Sequence, residues 1–227
     1  MKKILVLSGI FMGFQFTAQA QIEKNIGDFT SLKTTNRIKV ELIPSTTNKV
    51  VLKDSDEKSV NITNKNGRLI LKNTVKELVT EGEYSVTVQV YFTNLNEIDA
   101  QGGSYIFSTQ TISQDKLKMS ANLGSTIDIN LNTKTVEGSV NTGGKLKLKG
   151  TNEESVKLLA STGSHIQANE LTTNKNKVTV NSGSTATVTA TTYLEAQVIA
   201  GGTIKIYGNP KEIKEKTSIG GTIERIQ

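Results

Sequence analysis

From residue 98 onward apolar and polar residues alternate, and a glycine punctuates the alternation at nearly constant intervals. The glycines are Gly103, Gly124, Gly143, Gly163, Gly183, Gly201 and Gly220, spaced 21, 19, 20, 20, 18 and 19 residues apart. Three residues before them stand Ala100, Ala121, Val140, Ala160, Val180 and Val198, with Thr217 in the last copy. Five before lie Ile98, Met119, Gly138, Leu158, Val178, Ala196 and, at the end, Glu215. Three after come Ile106, Ile127, Leu146, Ile166, Ala186, Ile204 and Ile223. Five after, Ile129, Leu148, Ala168, Val188 and Ile206 are apolar, whereas Ser108 and Arg225 mark the two ends.

Alternation with period two on both sides of a glycine is the signature of strands that bury one face. Each copy therefore reads as strand, glycine corner, strand, and a polar connection such as Asn169 to Lys177. Glycine suits the corner because it reaches left-handed backbone angles without steric cost. The residue after it stays small: Ser104, Ser125, Gly144, Ser164, Ser184, Gly202 and Gly221. An antiparallel sandwich also alternates, but its hairpin neighbours run oppositely and need no shared offset. Repetition at a fixed offset favours coils stacked in parallel, each burying the next. A coil of about 20 residues has a contour of ~65 Å, enough to wrap a narrow aliphatic core, and seven coils would form a column of roughly 35 Å. The expected fold is all-β: a parallel β-helix or solenoid of about seven coils over residues 97–227, preceded by a β-rich region at 21–96.

That first region carries shorter alternating runs, among them Ile38-Val40-Leu42, Leu69-Leu71 and Val86-Val88-Val90. Asn66-Gly67 signals a tight hairpin, and Val75 to Val79 could form one helical turn. A β-meander or irregular coils shielding the open N-terminal edge of the solenoid is expected. At the other end Lys211, Glu212, Lys214, Glu215 and Lys216 read as a charged cap. Asn122, Asn141 and Asn181 share an offset two before the glycine. They form either an amide ladder or simply turn-favouring positions.

Composition narrows the setting. Residues 1–20 combine Lys2 and Lys3, an apolar run and Ala18-x-Ala20, the pattern of a secretory signal peptide cleaved after Ala20. The expected mature chain starts at Gln21, has no transmembrane segment and is exported, to the periplasm, the outer surface or the medium. It contains no cysteine, which excludes disulfides and thiol chemistry. Net charge is +6, or +4 once Lys2 and Lys3 are removed. The lysines are scattered singly, so a nucleic-acid partner is not expected, while attraction to anionic polysaccharide or lipid head groups is consistent with the charge.

Catalytic chemistry is hard to find. His165 is the only histidine and falls in an outward column with Thr126, Lys145, Thr185 and Thr203, so a solvated side chain is expected. Four residues after the glycines, Asp128 and Lys147 would be vertical neighbours and form an exposed ion pair. No two carboxylates adjoin in that column, as glycoside hydrolysis would require. The Gly-Gly pairs do not continue as phosphate-binding motifs. No catalytic residue, metal site or cofactor is expected; the seven glycines are structural. Candidates for binding are the lysines Lys145, Lys147 and Lys149, the tyrosines Tyr105, Tyr193 and Tyr207, which could stack on sugars, and the outward threonines Thr185, Thr187, Thr189, Thr191 and Thr192.

Three pieces of the chain carry a family resemblance. They are Gly27-Asp28-Phe29 with Ile38-Lys39-Val40-Glu41-Leu42, the repeated Ser/Asn-x-Gly-Ser-x-Ile units, and Ile206-Tyr207-Gly208-Asn209-Pro210 before Gly220-Gly221-Thr222-Ile223. Together they resemble the bacterial family called putative autotransporter adhesin, head GIN domain. Some Gly-Ser-Gly units of that pattern are here Gly-Ser-Thr or Gly-Gly-Lys. The resemblance implies an exported β-helix-like protein, but no segment of these 227 residues reads as an autotransporter barrel. The expected function is a non-enzymatic, adhesin-like interaction at the cell envelope, with a polysaccharide or envelope protein as partner. The alternative is a carbohydrate-binding module or carbohydrate-active enzyme on the same scaffold.

Overall fold

The computed structural model describes residues 22–53, 57–74, 84 and 86–226. The leader and the turn expected at Val75–Val79 lie outside the described residues. No α-helix occurs among the described residues, and the strands wind into a parallel β-solenoid of about six turns. This is one turn fewer than the seven coils expected.

The turns are built from unusually long strands: β9 (Tyr105–Asn122), β10 (Thr126–Asn141), β11 (Lys145–Ser161) and β12 (His165–Val180). β10 pairs in parallel with β9 and with β11, and β11 with β12. The polar connection expected at Asn169 to Lys177 is not a loop, because β12 runs straight through it. The wall changes direction at register shifts, such as those between Lys147 and Lys149 and between Asn152 and Ser155. A bulge bends a strand while preserving most ladder bonds, so polar composition there reflects outward side chains. After β12 the strands shorten: β13 (Thr185–Thr189), β14 (Tyr193–Val198), β15 (Gly202–Tyr207), β16 (Glu212–Thr217) and β17 (Gly221–Arg225).

Equivalent residues stack as the repeat implies. Ile127 stands opposite Leu146, Leu146 opposite Ile166, and Val140 opposite Ala160. All of these are buried in one continuous aliphatic interior. Gly138 interrupts the inward column of Met119 and Leu158 because a Cβ there would lie 2.6 Å from Leu146 Cδ2 and 2.9 Å from Leu158 Cδ2. The leucines of the next coil already fill that space.

At the corners two successive residues are left-handed: Thr142 and Gly143 have φ of 50° and 71°, Thr162 and Gly163 of 56° and 65°. Such a pair reverses the chain within two residues. The corners also extend the ladder. The Gly124 N–H donates to the Thr142 carbonyl at 3.0 Å, Gly143 to Thr162 at 3.1 Å and Gly163 to Ser182 at 3.0 Å. The small residue that follows is fully buried where it is serine, at Ser104, Ser125, Ser164 and Ser184. Its hydroxyl satisfies backbone that the corner strands: Ser104 N–H donates to Ser125 Oγ, and Ser164 N–H to Ser184 Oγ, both at 3.1 Å.

Between the two readings of Asn122, Asn141 and Asn181 the structure favours the turn. Asn141 is exposed and the other two are half-buried. Their carbonyls accept the turn-closing N–H groups of Ser125, Gly144 and Ser184. A buried polar ladder does exist, but elsewhere. Asn152 Nδ2 donates to Thr133 Oγ1 at 3.2 Å and to the Lys134 carbonyl at 2.9 Å, while Thr173 Oγ1 donates to Asn152 Oδ1 at 3.1 Å.

The N-terminal strands stack out of sequence order. β2 (Ser31–Thr35) and β3 (Ile38–Pro44) meet at a corner made by Asn36 and Arg37, with φ of 66° and 52°. They lie in parallel against β8 (Glu97–Ala100) and β9 on one side. On the other side lie β6 (Arg68–Asn73) and β7 (Val86–Phe92), again parallel. The expected Asn66-Gly67 hairpin joins β5 (Val60–Lys65) antiparallel to β6. β4 (Lys49–Lys53) and β1 (Ile22–Asn25) extend the opposite wall in antiparallel fashion. At the far end Arg225 Nε and Nη2 donate to Glu215 Oε1 at 3.0 and 2.9 Å. Both residues occupy inward columns, so their ion pair lies across the end of the aliphatic interior.

Candidate functional site

Outward side chains line up in columns. Beside the corners one column runs Lys39, Tyr105, Thr126, Lys145, His165, Thr185 and Thr203. The next runs Glu41, Phe107, Asp128, Lys147, Gln167, Thr187, Lys205 and Glu224. At the N-terminal end of these columns three aromatic rings form a row. Tyr105 and Phe107 stack with centroids 5.3 Å apart and planes at 13°, and Tyr84 stacks on Tyr105 at 6.0 Å and 28°. Lys39 Nζ lies 5.3 Å from the Phe107 centroid, a cation–π contact that steadies the outer ring.

Next to this row the wall is depressed. A cavity of about 440 Å³ is lined by Tyr84, Tyr105, Thr126, Lys145, Leu146, Lys147, His165 and Gln167. Thr126, with its short side chain, separates Tyr105 from Lys145 in the column, and the bulkier residues on either side form the walls. On the far side of Tyr84 a second depression of about 370 Å³ is bounded by Arg37, Gly102, Gly103 and Gly124. Partial burial pushes the Tyr105 phenol above its ordinary 10.0, with Asp128 and Tyr84 adding to the effect. Burial raises Tyr84 too, and the Arg37 charge opposes it. Both rings are therefore neutral phenols at neutral pH, able to donate and to accept.

The structure brings Tyr105, Lys145, Lys147 and His165 into one face. It does not bring Tyr193, Tyr207 or Lys149 there: Tyr193 lies under Lys214 at 5.5 Å, Tyr207 stands opposite Thr189, and Lys149 pairs with Glu170 at 3.1 Å. The outward threonines largely bond to neighbouring coils, as when Thr189 Oγ1 donates to the Asn169 carbonyl at 2.7 Å. His165 is exposed, as expected. Tyr84 was not signalled by the sequence, because it lies outside the repeat. Phe107 was visible at its offset, but only the structure shows its ring stacked on Tyr105.

The expected ion pair between Lys147 and Asp128 forms at 3.7 Å. It belongs to a wider pattern: among the described residues no carboxylate stands opposite another in the strand register. One column reads Glu97, Lys118, Glu137, Lys157, Lys177, Glu195 and Lys214, with a single like-charged contact between Lys157 and Lys177. Opposed charges reinforce register, whereas like charges directly across destabilise it. No group of three or more metal-ligating side chains occurs among the described residues.

The fold is that of a β-solenoid whose outward side chains stand in exposed columns. The chain belongs to the family described as "Putative auto-transporter adhesin, head GIN domain", whose model matches residues 28–210. No curated protein is significantly similar to it. Among solved structures, it resembles a putative adhesin from Bacteroides fragilis, with 19% identity and a TM-score of 0.82 over 91% of this chain and 96% of that one. A putative adhesin from Parabacteroides merdae aligns at 19% identity and a TM-score of 0.70, covering 92% and 96%. A putative lipid binding protein from Parabacteroides distasonis aligns at 14% identity and a TM-score of 0.68, again covering 92% and 96%. At these identities the likeness concerns the fold.

Proposed function

We propose that this adhesin-like protein is exported, acts without catalysis, and makes its contacts through the outward columns of the solenoid. The observation that carries this reading is the aromatic row of Tyr84, Tyr105 and Phe107 on an otherwise hydrophilic wall. Stacked rings held half in solvent are costly to maintain on a surface unless something covers them. The pairing of carboxylates with lysines supports the non-enzymatic part, since the acid and base of a glycosidase need two carboxyl groups flanking one bond. A carbohydrate-binding module is the second reading, favoured by the same rings. The test is twofold. Surface-protease accessibility after cell fractionation is expected to place the chain beyond the inner membrane; retention in the cytoplasm refutes export. Incubation with polysaccharide libraries is expected to give retention without product. Turnover that Asp128→Asn abolishes would overturn the non-enzymatic assignment.

A further inference from the structure

We infer that Tyr84 and Tyr105 form a site of oxidative cross-linking, at which each phenol gives up one electron and one proton and the two rings join by a carbon–carbon bond. The inference stands apart from the surface-binding reading above. Phenoxyl radicals couple through the ring carbons ortho to the oxygen, so the reaction selects tyrosines whose rings already meet. Of the five tyrosines, Tyr84 and Tyr105 are the pair in ring contact, with centroids 6.0 Å apart and planes 28° from parallel. Tyr91 lies under Lys49 at 4.8 Å, Tyr193 under Lys214 at 5.5 Å, and Tyr207 stands opposite Thr189. Tyr105 is fixed on β9, whereas Tyr84 lies outside the strands, two residues before β7. Coupling requires one ring edge to tilt onto the other, and Tyr84 is the ring not held on a strand. Both side chains are half-buried and border the same cavity of about 440 Å³, so solvent can carry away the released protons.

The position of the pair gives the bond a use. β3 enters its slot between β7 and β9 at this point: Ile38 stands opposite Val86, and Lys39 opposite both Thr87 and Tyr105. With one strand between them, β7 and β9 are ~10 Å apart, and the stacked rings span that interval beside the start of β3. A covalent bond between them closes the coil from Tyr84 to Tyr105 on itself and clasps β3 in place. The chain has no cysteine, so no disulfide can serve as such a staple. Like a disulfide, the bond would withdraw conformations from the unfolded ensemble. The oxidant is hydrogen peroxide acting through a haem peroxidase. Peroxide takes the two electrons and the two phenolic protons and becomes two molecules of water. The hydrogens on the coupled carbons then shift to the oxygens, which restores both phenols.

The experiment treats the full chain, in dilute solution, with a haem peroxidase and limiting hydrogen peroxide. A monomeric product with dityrosine fluorescence is expected, two hydrogens lighter than the parent, in which peptide mapping joins Tyr84 to Tyr105. Tyr84→Phe and Tyr105→Phe should each abolish that product, and the triple variant Tyr91→Phe, Tyr193→Phe, Tyr207→Phe should retain it. All of these changes keep the aromatic ring, and thermal melts establish that each variant is folded. The cross-linked chain should melt roughly 5 °C or more above the untreated one, with no such rise for treated Tyr105→Phe. No Tyr84–Tyr105 product, an undiminished monomeric dityrosine yield from either single variant, or products joined only between molecules overturns the inference. A linked product that melts no higher than the untreated chain overturns the clasp.

Discussion

Two glycines one residue apart in the repeat are required for different reasons, and alanine separates them. Gly163 sits at the corner with φ of +65°, and a Cβ added there meets nothing within 4 Å. Gly163→Ala is therefore charged only for placing an L-residue in the left-handed region, about 1–2 kcal/mol. Loss of unfolded-state freedom offsets this by about 0.4–1 kcal/mol, so a net cost near 1 kcal/mol is expected. Gly144 has no such φ, but its Cβ would lie 2.1 Å from the Ala121 carbonyl oxygen and 2.9 Å from that carbonyl carbon. Backbone of the coil beneath cannot yield as a side chain does. The corner must rise, which strains the ladder bonds from Lys145 N–H to the Ser125 carbonyl (2.8 Å) and from His165 N–H to the Gly144 carbonyl (2.9 Å). Overpacking at about 1–3 kcal/mol and two weakened bonds at about 1 kcal/mol each give an expected cost of about 3 kcal/mol or more. Urea unfolding followed by circular dichroism, with equal m-values as the check on comparability, measures both variants. If Gly144→Ala costs no more than Gly163→Ala, close approach is not what holds glycine at 144. Serine occupies the same offset in four other coils, whereas at Gly202 and Gly221 an added Cβ would again come within 2.6 Å of a neighbouring atom.

Asn152→Ala removes the middle of the buried ladder: Thr133 Oγ1 and the Lys134 carbonyl lose the Nδ2 donor, while Thr173 Oγ1 keeps the Lys175 carbonyl, so urea unfolding is expected to show a loss of about 2 kcal/mol; a loss under about 0.5 kcal/mol would contradict the ladder. The double variant Glu215→Leu, Arg225→Leu turns the charged lid at the C-terminal end of the solenoid into an apolar one, and light scattering should detect concentration-dependent association absent from the parent. Ultraviolet titration should find phenols ionising above 10.0, with Tyr105→Phe removing one of them. Because the folded pKa is raised, the stability linked to Tyr84 and Tyr105 is fully present below their unfolded value near 10 and is lost as pH climbs through the folded value. Chemical unfolding midpoints that stay level across that alkaline range would contradict the partial burial of these rings.

The repeat was legible because each coil is a translated copy of the last, so offset from a glycine converts directly into position on the wall. That conversion gave the inward columns, the exposed place of His165 and the pairing of Asp128 with Lys147. It could also have given the alternating charges of Glu97, Lys118, Glu137 and Lys157, which lie at one offset. It failed wherever the neighbour is not the next copy. Whether Ser164 or Asn181 faces inward depends on how the left-handed pair rotates the chain at the corner, and two residues of turn erase the simple alternation. The polar ladder at Asn152 sits beyond a bulge, where counting from the glycine loses phase.

What the amino-acid sequence determined by itself was the parallel β-solenoid with its aliphatic interior, since period-two alternation and a fixed glycine spacing leave few other ways to bury those side chains. Only the tertiary structure decided that β2 lies between β6 and β8 and β3 between β7 and β9, and that Tyr84 reaches across to Tyr105. Any alternating strand can extend a parallel edge through its backbone groups. The choice among them rests on long-range packing that no local pattern records, and the candidate binding face was assembled by that choice.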